Sequence, residues 1–199
     1  MEKFQNKYRI PSARATWWNY SRTGTYFITI CTRGRRHYFG RIPPSGPPQL
    51  DFSPAGKIAH DLWHEIPNYF PYTKLGEFIT MPNHIHGILA LHLPAPAAAS
   101  AVQSRFIASP PALNKALESE EFNHLPHGGI TGTHNPMLHK NLARIIRWYK
   151  GRCSYEIRKL GIDFGWHPRF YDIIIRNDAA YERISAYIIN NPAKWRTPR

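Results

Sequence analysis

Met81-Pro82-Asn83-His84-Ile85-His86-Gly87-Ile88-Leu89 sets two histidines two residues apart in a stretch that reads as a strand. Side chains at i and i+2 of a strand share one face, so both imidazoles can reach one metal ion. Ile85 then points the other way and can anchor the strand in a core. Neutral imidazole is the commonest protein ligand for a divalent metal. A plain pair of surface or core histidines has the same spacing, so the rest of the chain must decide between the two.

On either side of this stretch the chain alternates strands and helices. Residues 75–80 and 84–91 read as two strands broken by Met81-Pro82-Asn83. Residues 26–32 (Tyr-Phe-Ile-Thr-Ile-Cys-Thr) follow Gly24 and are rich in aromatic and β-branched residues, the mark of a strand. Ser53-Pro54 opens a helix expected to run to about Ile66, with Ser53 as N-cap, Pro54 at the first helical position and Pro67 as its end. Residues 141–160 have helical period, 171–176 form a short apolar strand, and 178–190 form a last helix that Pro192 stops. The order strand, helix, strand, strand, helix, strand, helix predicts an α+β, ferredoxin-like sandwich: one antiparallel sheet with helices packed on it. Residues 93–135, with Pro94, Pro96, Pro110-Pro111 and Gly128-Gly129, interrupt this order and read as a flexible insertion within a single domain over 1–199. Their scattered histidines (His124, His127, His134) lack the regular spacing of a metal site.

The 199 residues, 42% hydrophobic and 14% aromatic, suffice for one globular domain with a sizeable core. Lys and Arg number 26 against 13 Asp and Glu, a formal net charge of +13. A polyanion is therefore the leading partner, with counterion release supplying much of the binding energy. No apolar run approaches the roughly 20 residues needed to span a bilayer, and Met1-Glu2-Lys3-Phe4-Gln5 does not resemble a secretory signal. No membrane and a cytoplasmic location are the expectations. Cys31 and Cys153 lack ligand spacing and read as reduced packing residues.

The last helix supplies what a histidine pair lacks. Tyr187 and Asn191, in Tyr-Ile-Ile-Asn-Asn-Pro, stand four apart and share one face of the helix or its last turn. The amide oxygen of Asn191 can join two imidazoles around Mg²⁺ or Mn²⁺, within a helical turn of Tyr187. A free tyrosine, with a pKa of about 10, is a weak nucleophile, but a metal-polarised phosphate can be attacked by it to give a phosphotyrosine ester. Read without the histidines, the same two residues are a packing tyrosine and an asparagine capping the helix before proline.

These residues together resemble a known family. The chain resembles the single-tyrosine HUH transposases, and within them the REP-associated tyrosine transposases, where HUH denotes two histidines flanking a hydrophobic residue, here His84, Ile85 and His86. The resemblance extends over residues 20–32, Gly56-Lys57-Ile58, residues 81–87, Trp166-His167-Pro168-Arg169-Phe170-Tyr171-Asp172, Ile174-Ile175-Arg176-Asn177 and residues 187–195, nearly all the chain outside 93–135. It implies a single-stranded DNA endonuclease and strand transferase on a ferredoxin-like core. Such proteins cut beside imperfect hairpins, the repetitive extragenic palindromes, leaving a 5′-phosphotyrosine and a free 3′-hydroxyl. By position, His84 and His86 match the HUH histidines, Tyr187 the nucleophile and Asn191 the third metal ligand. His167 departs from the family's Trp-Gln-x-Arg pattern, and the chain ends at Arg199, short of the extension some members carry.

Basic and aromatic residues fill out the DNA reading. Arg14, Trp17, Trp18 and Arg22 mix charge with stacking surfaces in an N-terminal arm, as single-strand binding requires. Arg33 follows the first strand, Arg147 and Lys150 lie at i, i+3 on the penultimate helix where they can track phosphates, and Arg169 and Arg176 complete the set. Tyr149 and Tyr155 are rival nucleophiles without an amide or carboxylate four residues on. The expected partner is single-stranded DNA carrying a hairpin, bound by a monomer or homodimer. Two alternatives stay open: a zinc hydrolase using His84, His86 and a third histidine, and a non-catalytic or domesticated nucleic-acid-binding protein.

Overall fold

The computed structural model describes residues 3–4, 7–8, 18, 20, 22–92 and 140–195. The insertion expected at 93–135 lies outside the described residues, as do Arg14 and Trp17. Two short strands, β1 (Lys3–Phe4) and β2 (Lys7–Tyr8), pair near the N-terminus. The core unit then runs β3 (Gly24–Cys31), the small ribbon β4 (Gly40–Arg41) and β5 (Asp51–Phe52), α1 (Pro54–His64), α2 (Ile66–Tyr69), β6 (Thr73–Met81), β7 (His84–Leu91), α3 (Leu142–Lys159), β8 (Tyr171–Ile175) and α4 (Asp178–Ile189). The main sheet has the order β6-β7-β3-β8, antiparallel throughout. That is the split βαββαβ order of a ferredoxin-like sandwich, with α4 added after it. Among the described residues no helix is long and apolar enough to cross a membrane.

The caps explain where the helices begin. Ser53 accepts a hydrogen bond from the Gly56 amide, Asn141 from Arg144 and Asn177 from Ala180, each three residues in. One expectation is corrected: the first helix stops at His64, and Pro67 sits in the first turn of α2 rather than ending α1. Proline lacks an N–H and is tolerated where a helix has no use for one, so it marks a new start here.

Alternation along the strands divides the sheet into two faces. Tyr26, Ile28 and Ile30 of β3 and Ile85, Leu89 and Leu91 of β7 pack under α1 and α3 with Trp63, Tyr149 and Phe164. Trp63 stacks on Phe78 with ring centroids 4.8 Å apart and meets Tyr149 edge-on at 5.3 Å, while the Tyr149 hydroxyl donates to the Ala59 carbonyl at 2.9 Å. A Cβ on Gly87 would stand 2.4 Å from the Trp63 ring, so only glycine lets α1 close on β7 there. The opposite face carries a smaller cluster, Phe27, Ile88, Ile175 and Ile188, under α4. His84 and His86, out of phase with Ile85, emerge on that second face.

Candidate active site

Pro82 and Asn83 form the two-residue turn between β6 and β7, with Met81 paired to His84. This turn is braced by the segment after β3. Thr32 N donates to the Asn83 carbonyl at 2.9 Å, Phe39 N to the Pro82 carbonyl at 3.1 Å, and the Asn83 side-chain amide to the Arg35 carbonyl at 3.2 Å. The last bond fixes the orientation of the Asn83 amide and turns its Oδ1 to His84 Nδ1 at 2.7 Å. An amide oxygen only accepts, so His84 carries its proton on Nδ1 and presents the Nε2 lone pair. His86 is held from the neighbouring strand, Nδ1 against Thr29 Oγ1 at 2.8 Å, because Thr29 and His86 are register partners.

The two Nε2 atoms face each other at 3.1 Å, and the Tyr187 hydroxyl lies 3.4 Å from His86 Nε2. Burial, then the charge of Arg35, pushes the His84 pKa down to about 4; burial, then His84 itself, pushes His86 to about 3. Both rings are therefore neutral near pH 7, the state a metal requires of imidazole. Phe27 stacks on His86 at 5.2 Å and meets Tyr187 edge-on at 6.0 Å, so an apolar wall sets the spacing of the imidazole and phenol rings. His84, His86 and Tyr187, together with Thr29 and Cys31, line an open cleft of about 520 Å³ whose other residues are Arg35, Asn191, Lys194 and Trp195.

Two adjacent asparagines divide their roles. The Asn190 side chain donates to the Ala186 carbonyl at 2.7 Å and so caps α4. Asn191 instead lines the cleft, and its amide makes no side-chain hydrogen bond among the described residues. The donor set thus fits a divalent cation: two neutral imidazoles held by outer hydrogen bonds, with the Asn191 amide lining the same cleft. Among the described residues no group of three or more His, Cys, Asp and Glu could hold a metal. The histidine pair therefore finds there no third imidazole of the kind a zinc hydrolase needs.

The remaining expected residues lie in various settings. Trp18 donates its indole N–H to the Tyr26 hydroxyl at 2.9 Å, which ties it to the core. Arg33 pairs with Asp163 at 2.7 Å, and Lys150 donates to the carbonyls of His167 and Arg169, both at 2.9 Å. Arg22, Arg147, Arg169 and Arg176 are exposed. Of the rival tyrosines, Tyr149 is fully buried, and burial raises its pKa well above the usual value. Tyr155 is exposed on α3 beside Arg152 and Lys159 and does not line the cleft. Both cysteines are free thiols; Cys153 is in the core and Cys31 lines the cleft. Thr29, Asn83, Lys194 and Trp195 were not legible as site residues. Only Asn83, an amide beside His84, left a local signal.

No protein-family model matches the chain. It is 30% identical to an uncharacterized protein of Haemophilus influenzae over 184 residues, 92% of this chain and 88% of that one. Among solved structures, a REP-associated tyrosine transposase bound to a REP hairpin superimposes with a TM-score of 0.52 at 17% identity, covering 91% of this chain and 74% of that one. At that identity the likeness is one of fold. The chain belongs to the same family as the Haemophilus influenzae protein, and its fold is that of a REP-associated tyrosine transposase.

Proposed function

We propose that the protein is a transposase-type DNA strand transferase that cleaves single-stranded DNA beside a hairpin through Tyr187. The observation that carries this reading is that His84 Nε2 and the Tyr187 hydroxyl lie 3.1 and 3.4 Å from His86 Nε2, with Asn191 on the same cleft. The fold shared with a hairpin-bound transposase supports the choice of DNA as substrate.

His84, His86 and Asn191 would hold Mg²⁺ or Mn²⁺, which supplies Lewis-acid polarisation of the scissile phosphate. Arg35 and Lys194, on the rim of the cleft, neutralise the phosphate oxygens and orient them. The Tyr187 oxygen attacks phosphorus and forms the P–O bond to tyrosine while the P–O3′ bond breaks. The phenol proton passes to solvent and the leaving 3′-oxygen takes one up. The 5′-phosphotyrosine retains the phosphodiester bond energy, so a 3′-hydroxyl can later reverse the attack and join a strand. Asn83 keeps His84 in the ligating tautomer, Thr29 fixes the orientation of the His86 ring, and Tyr187, 44% exposed, stays reachable by a strand entering from solvent.

Incubation with single-stranded hairpin oligonucleotides tests the reading. Cleavage is expected with Mg²⁺ or Mn²⁺, to be lost with chelator, and to be negligible on fully paired duplex, because in-line placement of a phosphate needs a pliable strand. Binding should weaken steeply with salt. Efficient cutting of blunt duplex, or tight stoichiometric Zn²⁺ as the active metal, contradicts it.

A further inference from the structure

A second groove lies across the edge of the sheet from the histidines, between α3 and the segment that leads into β8, with a volume of about 660 Å³. Its floor is apolar and aromatic: Ile146, Trp166 and Phe170. Its rim is cationic, with Arg147 and Arg169. Three features show that it is built rather than incidental. Lys150 donates to the carbonyls of both His167 and Arg169, and Trp166 donates its indole N–H back to the Lys150 carbonyl at 3.1 Å, so helix and loop are clasped at one point. Arg169 sits at φ +69°, a left-handed backbone conformation that a non-glycine residue adopts only at a cost, and such strain gathers at ligand clamps. Gly151, in the interior of α3, lines the groove, and no heavy atom stands within 4 Å of where its Cβ would be. Glycine in a helix interior costs about 1 kcal/mol relative to alanine, and no contact among the described residues explains it here. A ligand that approaches the helix backbone does.

The groove is coupled to the catalytic cleft through one residue. The Cys31 side chain lines the cleft, and the Cys31 carbonyl accepts the His167 N–H at 2.8 Å.

We infer that this groove receives one unpaired nucleotide of the strand that flanks the scissile phosphate. Its base lies against the Trp166 and Phe170 rings, and its phosphate meets Arg147 and the remaining N–H of the Lys150 ammonium, which has three donors and places two on carbonyls. Aromatic floor and cationic rim together match a nucleotide and no purely apolar ligand. The inference rests on the strand-transferase reading and adds to it the place where the flanking strand is gripped.

The test uses the full chain and two oligonucleotides, a hairpin with a single-stranded flank and the same hairpin trimmed blunt. Wild type should bind the flanked form roughly tenfold or more tightly than the blunt one, the range of a single base stack. Gly151→Leu places a side chain in the groove from a position whose Cβ meets no neighbour, so its melting temperature should hold or rise while the preference for the flank disappears. Arg147→Ala should reduce that preference and the salt dependence of flanked binding. An abasic residue placed along the flank should mimic Gly151→Leu at one position only. A flank preference unchanged in both variants overturns the inference while cleavage through Tyr187 stands. A wild type that binds neither oligonucleotide overturns the strand-transferase reading and the inference with it.

Discussion

The two faces of the main sheet are built to different standards. Under α1 and α3 the sheet is sealed by a continuous aromatic and aliphatic core in which Tyr26, Ile30, Trp63, Ile85, Leu89 and Tyr149 have no exposure. Under α4 the seal is thin: Ile188 is the one fully buried residue of that helix, while Tyr181, Tyr187 and Ile189 stay exposed. β3 and β7 belong to both faces, so the rigid side fixes where Thr29, His84 and His86 stand. The lightly packed side carries Tyr187, the proposed nucleophile, on an element with few anchors. That division suits the proposed role, in which the phenol holds a strand covalently and then meets a second 3′-end, because regions of low packing are where motion is cheapest.

The difference can be broken most directly at the ligands. His84→Ala or His86→Ala should lower strand cleavage by at least a hundredfold at any attainable Mg²⁺ or Mn²⁺ concentration, whereas Asn191→Gln keeps part of the rate because an amide oxygen survives on a longer arm. Equal and full activity in all three removes the metal assignment. On the sealed face, Leu89→Ala should cost about 3–5 kcal/mol in urea unfolding, since a buried leucine leaves a cavity that the close-packed neighbours cannot fill. On the thin face, Ile184→Ala, half-buried on α4, should cost about 1 kcal/mol yet reduce cleavage more than Leu89→Ala does when both are assayed well below their melting temperatures. A reversed order in either measurement means that the faces are not divided as described.

Acid sharpens the same contrast. In the metal-free protein His84 and His86 are held at about 4 and 3, against 6.5 for a free histidine. The unfolded chain therefore binds more protons below pH 6.5, and each ring should subtract up to about 1.4 kcal/mol of stability per pH unit between roughly pH 6 and 4. The loss ends as pH passes the folded values. In His86→Gln the slope should fall by one histidine's share; an unchanged slope shows that burial at this site is not what resists protonation.

Much of this was legible in the chain because it depends on local periodicity. His84 and His86 at i, i+2, Ser53-Pro54 at a helix start and Tyr187 with Asn191 at i, i+4 each state their geometry within a few residues. What was hidden depends on pairing between distant segments. Thr29 orients His86 only because β3 and β7 adopt one register. Lys194 and Trp195 reach the cleft only because the short turn Pro192–Lys194 folds the chain back, placing Trp195 against His84 with ring centroids 6.0 Å apart. Arg33 is tied up by Asp163, 130 residues away, and Lys150 by two backbone carbonyls, neither of which a charge pattern can announce. That the Asn190 side chain caps α4 on the Ala186 carbonyl was likewise visible only once the end of α4 was placed.

The central claim, that Tyr187 is the nucleophile, is tested most directly by trapping the cleaved strand on the protein and mapping the modified peptide by mass spectrometry. The account predicts a 5′-phosphate ester on the peptide that contains Tyr187, formed with Mg²⁺ or Mn²⁺ and absent from Tyr187→Phe, while that variant still binds the hairpin. An adduct on Tyr155 or Tyr149, or cleavage that survives in Tyr187→Phe, contradicts it.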